Sequence, residues 1–331
     1  MSEVGNTSSA DRLKLDAGAE VERIDAFIRD GVFTRLRRKG LVIGLSGGID
    51  SSTVAALAVS ALGPDRVIGL FMPESDSSDD SLRLGQLLAK QLGIRTFTED
   101  ISGILSGAEC YRRRDAAIRE VVPEYHAGYK SKLVLSSLDS SEFRISYVVV
   151  QSPNGEQRKV RLTGDAFLAL VAATNFKQRT RKMMEYYYAD RFLYAVGGTP
   201  NRLEYDQGFF VKNGDGSADI KPIAHLYKSQ VYQLAAFLGV PDEILTRLPT
   251  TDTYSLSQSQ EEFYFSLPYD NMDLCLYGKN HNLPAKEVAK DLGLTEAQVE
   301  RVYRDIDAKR AVARYLLMEP LLAQSIGDTS V

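Results

Sequence analysis

The nine residues Gly44-Leu45-Ser46-Gly47-Gly48-Ile49-Asp50-Ser51-Ser52 join a short apolar run to a helical one, and their types suit an anion. Glycines let backbone approach a phosphate, the first-turn amides of the following helix point at it, and the helix dipole adds positive charge. Ser46, Ser51 and Ser52 offer hydroxyl donors, while the Lys of a Walker loop is missing. Asp50 runs against this trend. A carboxylate beside phosphates repels them unless a divalent cation lies between, which points to Mg2+; its alternative is a plain helix cap. A Gly-Gly turn opening a capped helix also has a purely structural explanation.

The elements around this loop must hold it at the end of a sheet. Leu41-Val42-Ile43-Gly44-Leu45 is short, apolar and β-branched, the pattern of a buried strand. Ahead of it, apolar residues recur at helical spacing from Val21 to Leu36, predicting a helix over residues 17–38 that stops at Gly40. After it come a helix at 50–62, a strand at 66–72, a Ser/Asp-rich loop, a helix at 82–92 and a strand at 94–97. Such alternation predicts an α/β fold, a parallel sheet with helices on both faces, whose ligands bind beyond the carboxyl ends of the strands.

Alternation breaks at 109–165, read as an insertion. There Arg112, Arg113 and Arg114 precede two β-rich runs, 143–150 and 158–162, joined by Ser152-Pro153-Asn154-Gly155, a hairpin signal. A helix at 165–190, a strand at 192–196, a helix at 226–238 and two helices across 284–315 broken at Gly293 complete the expected order. Residues 1–14 and 319–331 read as tails flanking a single domain at 15–318.

Composition narrows the function. With 331 residues, 44% apolar and 25% charged, the chain has the profile of a globular protein, excluding collagen-like, coiled-coil and disordered classes. A net charge of −4 removes the bulk electrostatic case for nucleic acid. Cys110 and Cys275 give no disulfide framework, and three histidines make a His-rich zinc site a poor candidate. No stretch is apolar enough for a membrane span or a signal peptide, so a cytoplasmic enzyme of small-molecule chemistry is expected.

The order Ser-Gly-Gly-Xaa-Asp-Ser resembles the pyrophosphate-binding loop of the N-type ATP pyrophosphatases, which activate a carbonyl oxygen as an adenylate. Asn175-Phe176-Lys177-Gln178-Arg179-Thr180-Arg181, Gly198-Thr199-Pro200-Asn201-Arg202-Leu203-Glu204, Gly208 to Lys212, Gly214 to Asp219, and Lys228-Ser229-Gln230-Val231 are similar in order and spacing to the ammonia-dependent NAD synthetase family. The resemblance implies a doubly wound sheet of the adenine nucleotide alpha hydrolase-like kind. It implies ATP-dependent amidation of deamido-NAD through an acyl-adenylate, with AMP and pyrophosphate released.

Carried over to this sequence, it implies that Gly44, Leu45, Ser46, Gly47, Gly48, Ile49, Asp50 and Ser51 surround ATP, with Thr199, Lys228 and Thr250. Asp50 and Glu204 would hold Mg2+; Asp50, Lys228 and Ser46 would be catalytic; Arg179, Lys212, Asp219 and Lys309 would hold deamido-NAD. Plainer explanations stand beside these. Lys228 also suits a solvated helix face, Thr250 a turn hydroxyl, Asp219 a brace for its Gly-rich turn, and Tyr186-Tyr187-Tyr188 core packing.

A homodimer is implied, with the acceptor near the subunit boundary. No nucleophile with a paired base is evident, and adenylate chemistry requires none. The segments 75–81 and 250–262 are candidate lids against water. Since fewer than fifty residues precede the loop, no fused glutaminase is expected, and ammonia is expected to be used directly or supplied by a separate glutaminase. The insertion, Pro200, Leu203 and Ala308-Lys309 depart from the family pattern and bear on the acceptor. The alternatives are therefore an amide ligase for another carboxylate, a tRNA-modifying enzyme using Arg112 to Arg114, and a degenerate nucleotide-binding subunit.

Overall fold

The computed structural model describes residues 9–135, 146–248, 253–256, 258, 264–265 and 267–324. The chain runs α1 (Ala17–Arg29), β1 (Leu41–Gly44), α2 (Ile49–Leu62), β2 (Val67–Phe71), α3 (Asp79–Leu92) and β3 (Arg95–Thr98). It continues through α4 (Cys110–Arg119), β4 (Lys130–Leu135), β5 (Ser146–Gln151), β6 (Gln157–Arg161), α5 (Gly164–Phe192) and β7 (Ala195–Val196). It closes with α6 (Arg202–Gln207), α7 (Lys228–Phe237), α8 (Tyr269–Asn280), α9 (Ala285–Leu292) and α10 (Glu296–Leu317).

The expected parallel sheet has the order β3-β2-β1-β7. Leu41 pairs with Val67 on one side and Ala195 on the other, and the buried β-branched side chains of β1 and β2 leave no solvent face. Helices α1, α2, α3 and α7 contribute Ile28, Val54, Leu57, Leu88 and Leu234 to the principal core. Because the chain builds outward from β1 through β2 to β3 and then returns beside β1 as β7, the order reverses at β1. A crevice opens there beyond the carboxyl ends, where such sheets bind ligands.

Several expected boundaries shift for local reasons. The opening helix ends at Arg29 and passes into a π-helical turn, Asp30–Arg35, in which Leu36 N–H reaches Gly31 O at 2.9 Å. The wider turn keeps Val32 buried on the side of Ile28. The strand expected at 192–196 shrinks to Ala195–Val196, because α5 runs to Phe192 and ends on Leu193 at φ 57°. The expected amino-terminal tail is shorter at its inner end: Ser9–Arg12 is helical, Leu13 is buried, and Arg12 pairs with Glu287 at 3.0 Å.

In the insertion the hairpin is present as β5 and β6, turning through Gly155, although residues 143–145 lie outside the described residues. A third strand, β4, pairs antiparallel with β5, and α4 packs beneath through Ala117 and Ile118 onto Leu133 and Val148. The other edge of β4 holds a later segment: Leu256 N–H donates to Ser131 O at 3.1 Å and Ser131 N–H to Ser255 Oγ at 2.9 Å. A separate core joins α8, α9 and α10, with the break at Gly293 as expected. No described helix is long and apolar enough to cross a membrane.

Candidate active site

A cavity of about 590 Å3 opens at the crevice, walled by the loop after β1, the loop after β2 and the segment 199–211. The β1 loop is braced internally. Ser46 and Ser51 hydroxyls lie 3.1 Å apart, Gly48 N–H donates to Ser46 Oγ at 3.3 Å, and Ser51 Oγ donates to Gly48 O at 3.1 Å. Ser46 stays exposed toward the cavity. Ser52, expected as a further donor, is fully buried and spends its hydroxyl on Gly48 O at 2.8 Å.

Two glycines are fixed by close approach. A Cβ on Gly44 would stand 2.8 Å from Glu185 Oε1. Gly47 has φ +70°, and its Cβ would fall 2.3 Å from Ser81 O.

Asp50 is not the helix cap. Gly48 holds that position, and Asp50 sits in the first turn of α2 with its carboxylate toward the cavity wall. Its Oδ1 accepts from Asn201 Nδ2 at 3.0 Å, and its Oδ2 forms an ion pair with Lys228 Nζ. Lys228 is 1% exposed, so the solvated-helix explanation is excluded. Burial opposes its charge, but Asp50 and Glu204 outweigh that and hold its pKa above the usual lysine range.

Asn201 ties the second carboxylate to the first. It caps α6 reciprocally with Glu204: Glu204 N–H donates to Asn201 Oδ1 at 3.2 Å and Asn201 N–H to Glu204 Oε2 at 3.3 Å. Enclosure by protein, with the charge of Asp50 added, pushes the Glu204 carboxyl up to about 8. Two acids crowded on one wall with oxygen ligands to offer fit a divalent cation such as Mg2+. Among the described residues no group of three or more metal-ligating side chains converges.

Four further residues belong to this assembly, and sequence reasoning gave them no role. Glu185, buried, pairs with Lys182 at 2.5 Å, and burial raises its pKa. Asp215 lines the same cavity, accepts from Val211 N–H at 2.7 Å and is likewise held up by enclosure. Asp273, fully buried on α8, accepts from Lys228 N–H at 3.1 Å and Ser229 N–H at 2.7 Å, fixing the amino end of α7. Lys177, fully buried, donates to Glu74 at 2.9 Å, Asp76 at 2.6 Å and Thr253 O at 2.7 Å. It thereby pins the loop expected as a lid at 75–81. Only Asp215 and Lys177 stood in segments already singled out. The others meet the site through contacts distant in sequence.

The residues expected at the acceptor stand apart from this cavity in the single chain. Arg179 Nε donates to Lys212 O at 3.2 Å, and Lys212 Nζ caps the end of α10 at Tyr315 O, 2.9 Å away. Asp219 accepts from Val196 N–H at 2.7 Å and from Tyr186 hydroxyl at 3.2 Å, the contacts of a brace. Lys309 pairs internally with Asp305 at 2.7 Å. Tyr188 packs on Phe97, with ring centroids 4.5 Å apart. Thr199 lines the cavity; Thr250 and most of 250–262 lie outside the described residues.

Asp273 carries a stability prediction. Burial pushes its carboxyl up to about 6, so its ionisation opposes folding. Relative to an unfolded aspartate near about 4, stability is highest below that pH and declines as pH climbs through about 6. Asp273→Ala, which orphans two amides, is expected to cost about 1–3 kcal/mol in urea unfolding. Asp273→Asn is expected to cost less at pH 7 and to flatten the decline.

The NAD synthase family model matches residues 20–152 and 154–312. The NH(3)-dependent NAD(+) synthetase of Mesorhizobium japonicum is 60% identical over 317 residues, 96% of this chain and 99% of that protein. The one from Thermotoga maritima is 32% identical over 296 residues, 88% and 96% of the two chains. Among solved structures, the NMN synthetase of Francisella tularensis superposes with TM-score 0.65 at 23% identity, covering 93% of this chain and 99% of its own, a likeness of fold. A motif order, a cavity at the strand ends and full-length relatives thus converge, and the chain belongs to the NAD synthase family.

Proposed function

We propose that the protein converts deamido-NAD to NAD, using ATP and ammonia and releasing AMP and pyrophosphate. The observation that carries this reading is the buried Asp50–Lys228 pair, with Asn201 linking Asp50 to Glu204, beside a loop built for phosphate. The names of the full-length relatives support the acceptor and the nitrogen donor.

The acceptor's carboxylate oxygen attacks the α-phosphorus of ATP, pyrophosphate leaves, and ammonia displaces AMP from the acyl-adenylate. The exposed Ser46 hydroxyl and the first-turn amides of α2 hold phosphate oxygens, and Lys228 keeps its proton and places positive charge where the phosphoryl oxygens gain negative charge. Asp50 and Glu204 would hold Mg2+, which supplies charge neutralisation between carboxylates and phosphates. Asn201 keeps both carboxylates on one wall. The pinned loop at 75–81 limits water around the adenylate.

Incubation with ATP, Mg2+ and ammonium against a panel of carboxylates is expected to give amide and AMP with deamido-NAD. Turnover of another acid, with none of deamido-NAD, would reject this acceptor. Glutamine alone is expected to give none. A cytoplasmic site suits the two free, buried cysteines.

A homodimer is supported by one stripe of α5, on which Leu168, Met183 and Tyr187 are 64%, 53% and 52% exposed beside exposed Arg179. Met183→Glu is expected to halve the mass in light scattering and to raise the acceptor's KM. An unchanged mass would place the interface elsewhere.

A further inference from the structure

We infer that Arg247 is a phosphate-binding residue that grips the terminal phosphates of the nucleotide and the pyrophosphate leaving group. The inference rests on the reading of the cavity as an ATP site. Arg247 follows the short helix Asp242–Leu245 and extends over the rim of the cavity, with its side chain 18% exposed. One guanidinium nitrogen lies 3.4 Å from Gly47 O and another 2.9 Å from Ser81 Oγ. The group therefore sits across a tight junction, where Gly47 of the loop after β1 meets Ser81 O in the first turn of α3.

Charge arithmetic favours a role beyond strapping these elements. Among the described residues lining the cavity, Lys228, Arg181 and Arg247 are the cations. Lys228 is committed to Asp50, and Arg181 acts electrostatically on Glu185 and Asp215. A triphosphate carries more negative charge than one lysine and one divalent ion neutralise, and more still collects on the β-phosphate as the bond to the α-phosphorus breaks. Arg247 is the cation at the loop itself, and its fork suits two phosphate oxygens at once. Its acid neighbour, Asp80 at 3.8 Å, is half exposed and shared with Arg83, so it screens the guanidinium weakly.

The test is steady-state kinetics of full-length Arg247→Gln and Arg247→Lys, with pyrophosphate and AMP as separate product inhibitors. For Arg247→Gln, ATP KM and the pyrophosphate inhibition constant are each expected to rise about ten- to a hundredfold. AMP inhibition, deamido-NAD KM and the thermal midpoint are expected to stay within about twofold or a few degrees. Arg247→Lys is expected to fall between. Unchanged pyrophosphate inhibition would overturn the assignment, as would an equal weakening of AMP, which marks a distorted cavity. A wild-type protein that neither consumed ATP nor bound pyrophosphate would overturn the ATP reading itself, and this inference with it.

Discussion

Asp50→Asn is expected to cut AMP formation by about a thousandfold or more while leaving the fold in place. The amide keeps the volume of the carboxylate and an oxygen able to accept from Asn201, and loss of the Asp50 charge lowers the Glu204 pKa, which leaves that carboxylate facing Lys228. What disappears is one of two carboxylates able to share a divalent ion with the phosphates. Circular dichroism and a thermal midpoint within a few degrees of wild type would separate this loss from unfolding. Turnover within about tenfold of wild type would refute the assignment, because no other acid occupies the first turn of α2.

Lys228→Met is expected to fail in two measurements at once. Lys228 is almost wholly buried and faces Asp50 and Glu204, so its removal leaves two crowded acids without a cation. Breaking a buried pair in this way costs about 3–5 kcal/mol of unfolding free energy. Activity is expected to fall by about a hundredfold or more from lost stabilisation of phosphoryl charge. The variant should also be stabilised by Mg2+ more than wild type, since a divalent ion relieves the repulsion left behind. Equal shifts in the two proteins would count against the shared wall.

The parts of this site legible in sequence are those written locally. The Gly/Ser order of 44–52 announces an anion loop because the glycines and hydroxyls act within one turn of chain. The buried strands β1 and β2 are equally plain, since β-branched runs on a covered sheet have no polar face to obscure them. Lys228 is different: nothing in its neighbours marks it as buried, and only the family resemblance pointed to it. Asp273, Glu185 and Arg247 were invisible because each acts across the fold, on Lys228, Gly44 and Gly47. Strand β4 escaped notice because Lys130 and Lys132 alternate with inward residues on a half-exposed sheet. The acceptor residues remain the least legible. Their single-chain contacts are those of braces, and the subunit boundary expected to gather them is written on two chains.

The most direct test follows the oxygen. Deamido-NAD labelled with 18O in its carboxylate is to be turned over with unlabelled ATP, Mg2+ and ammonium, and the products weighed by mass spectrometry. Attack on the α-phosphorus predicts one 18O carried into AMP, none into pyrophosphate, and one left in the amide. Label in pyrophosphate or inorganic phosphate, or none in AMP, would contradict an adenylate formed at this loop.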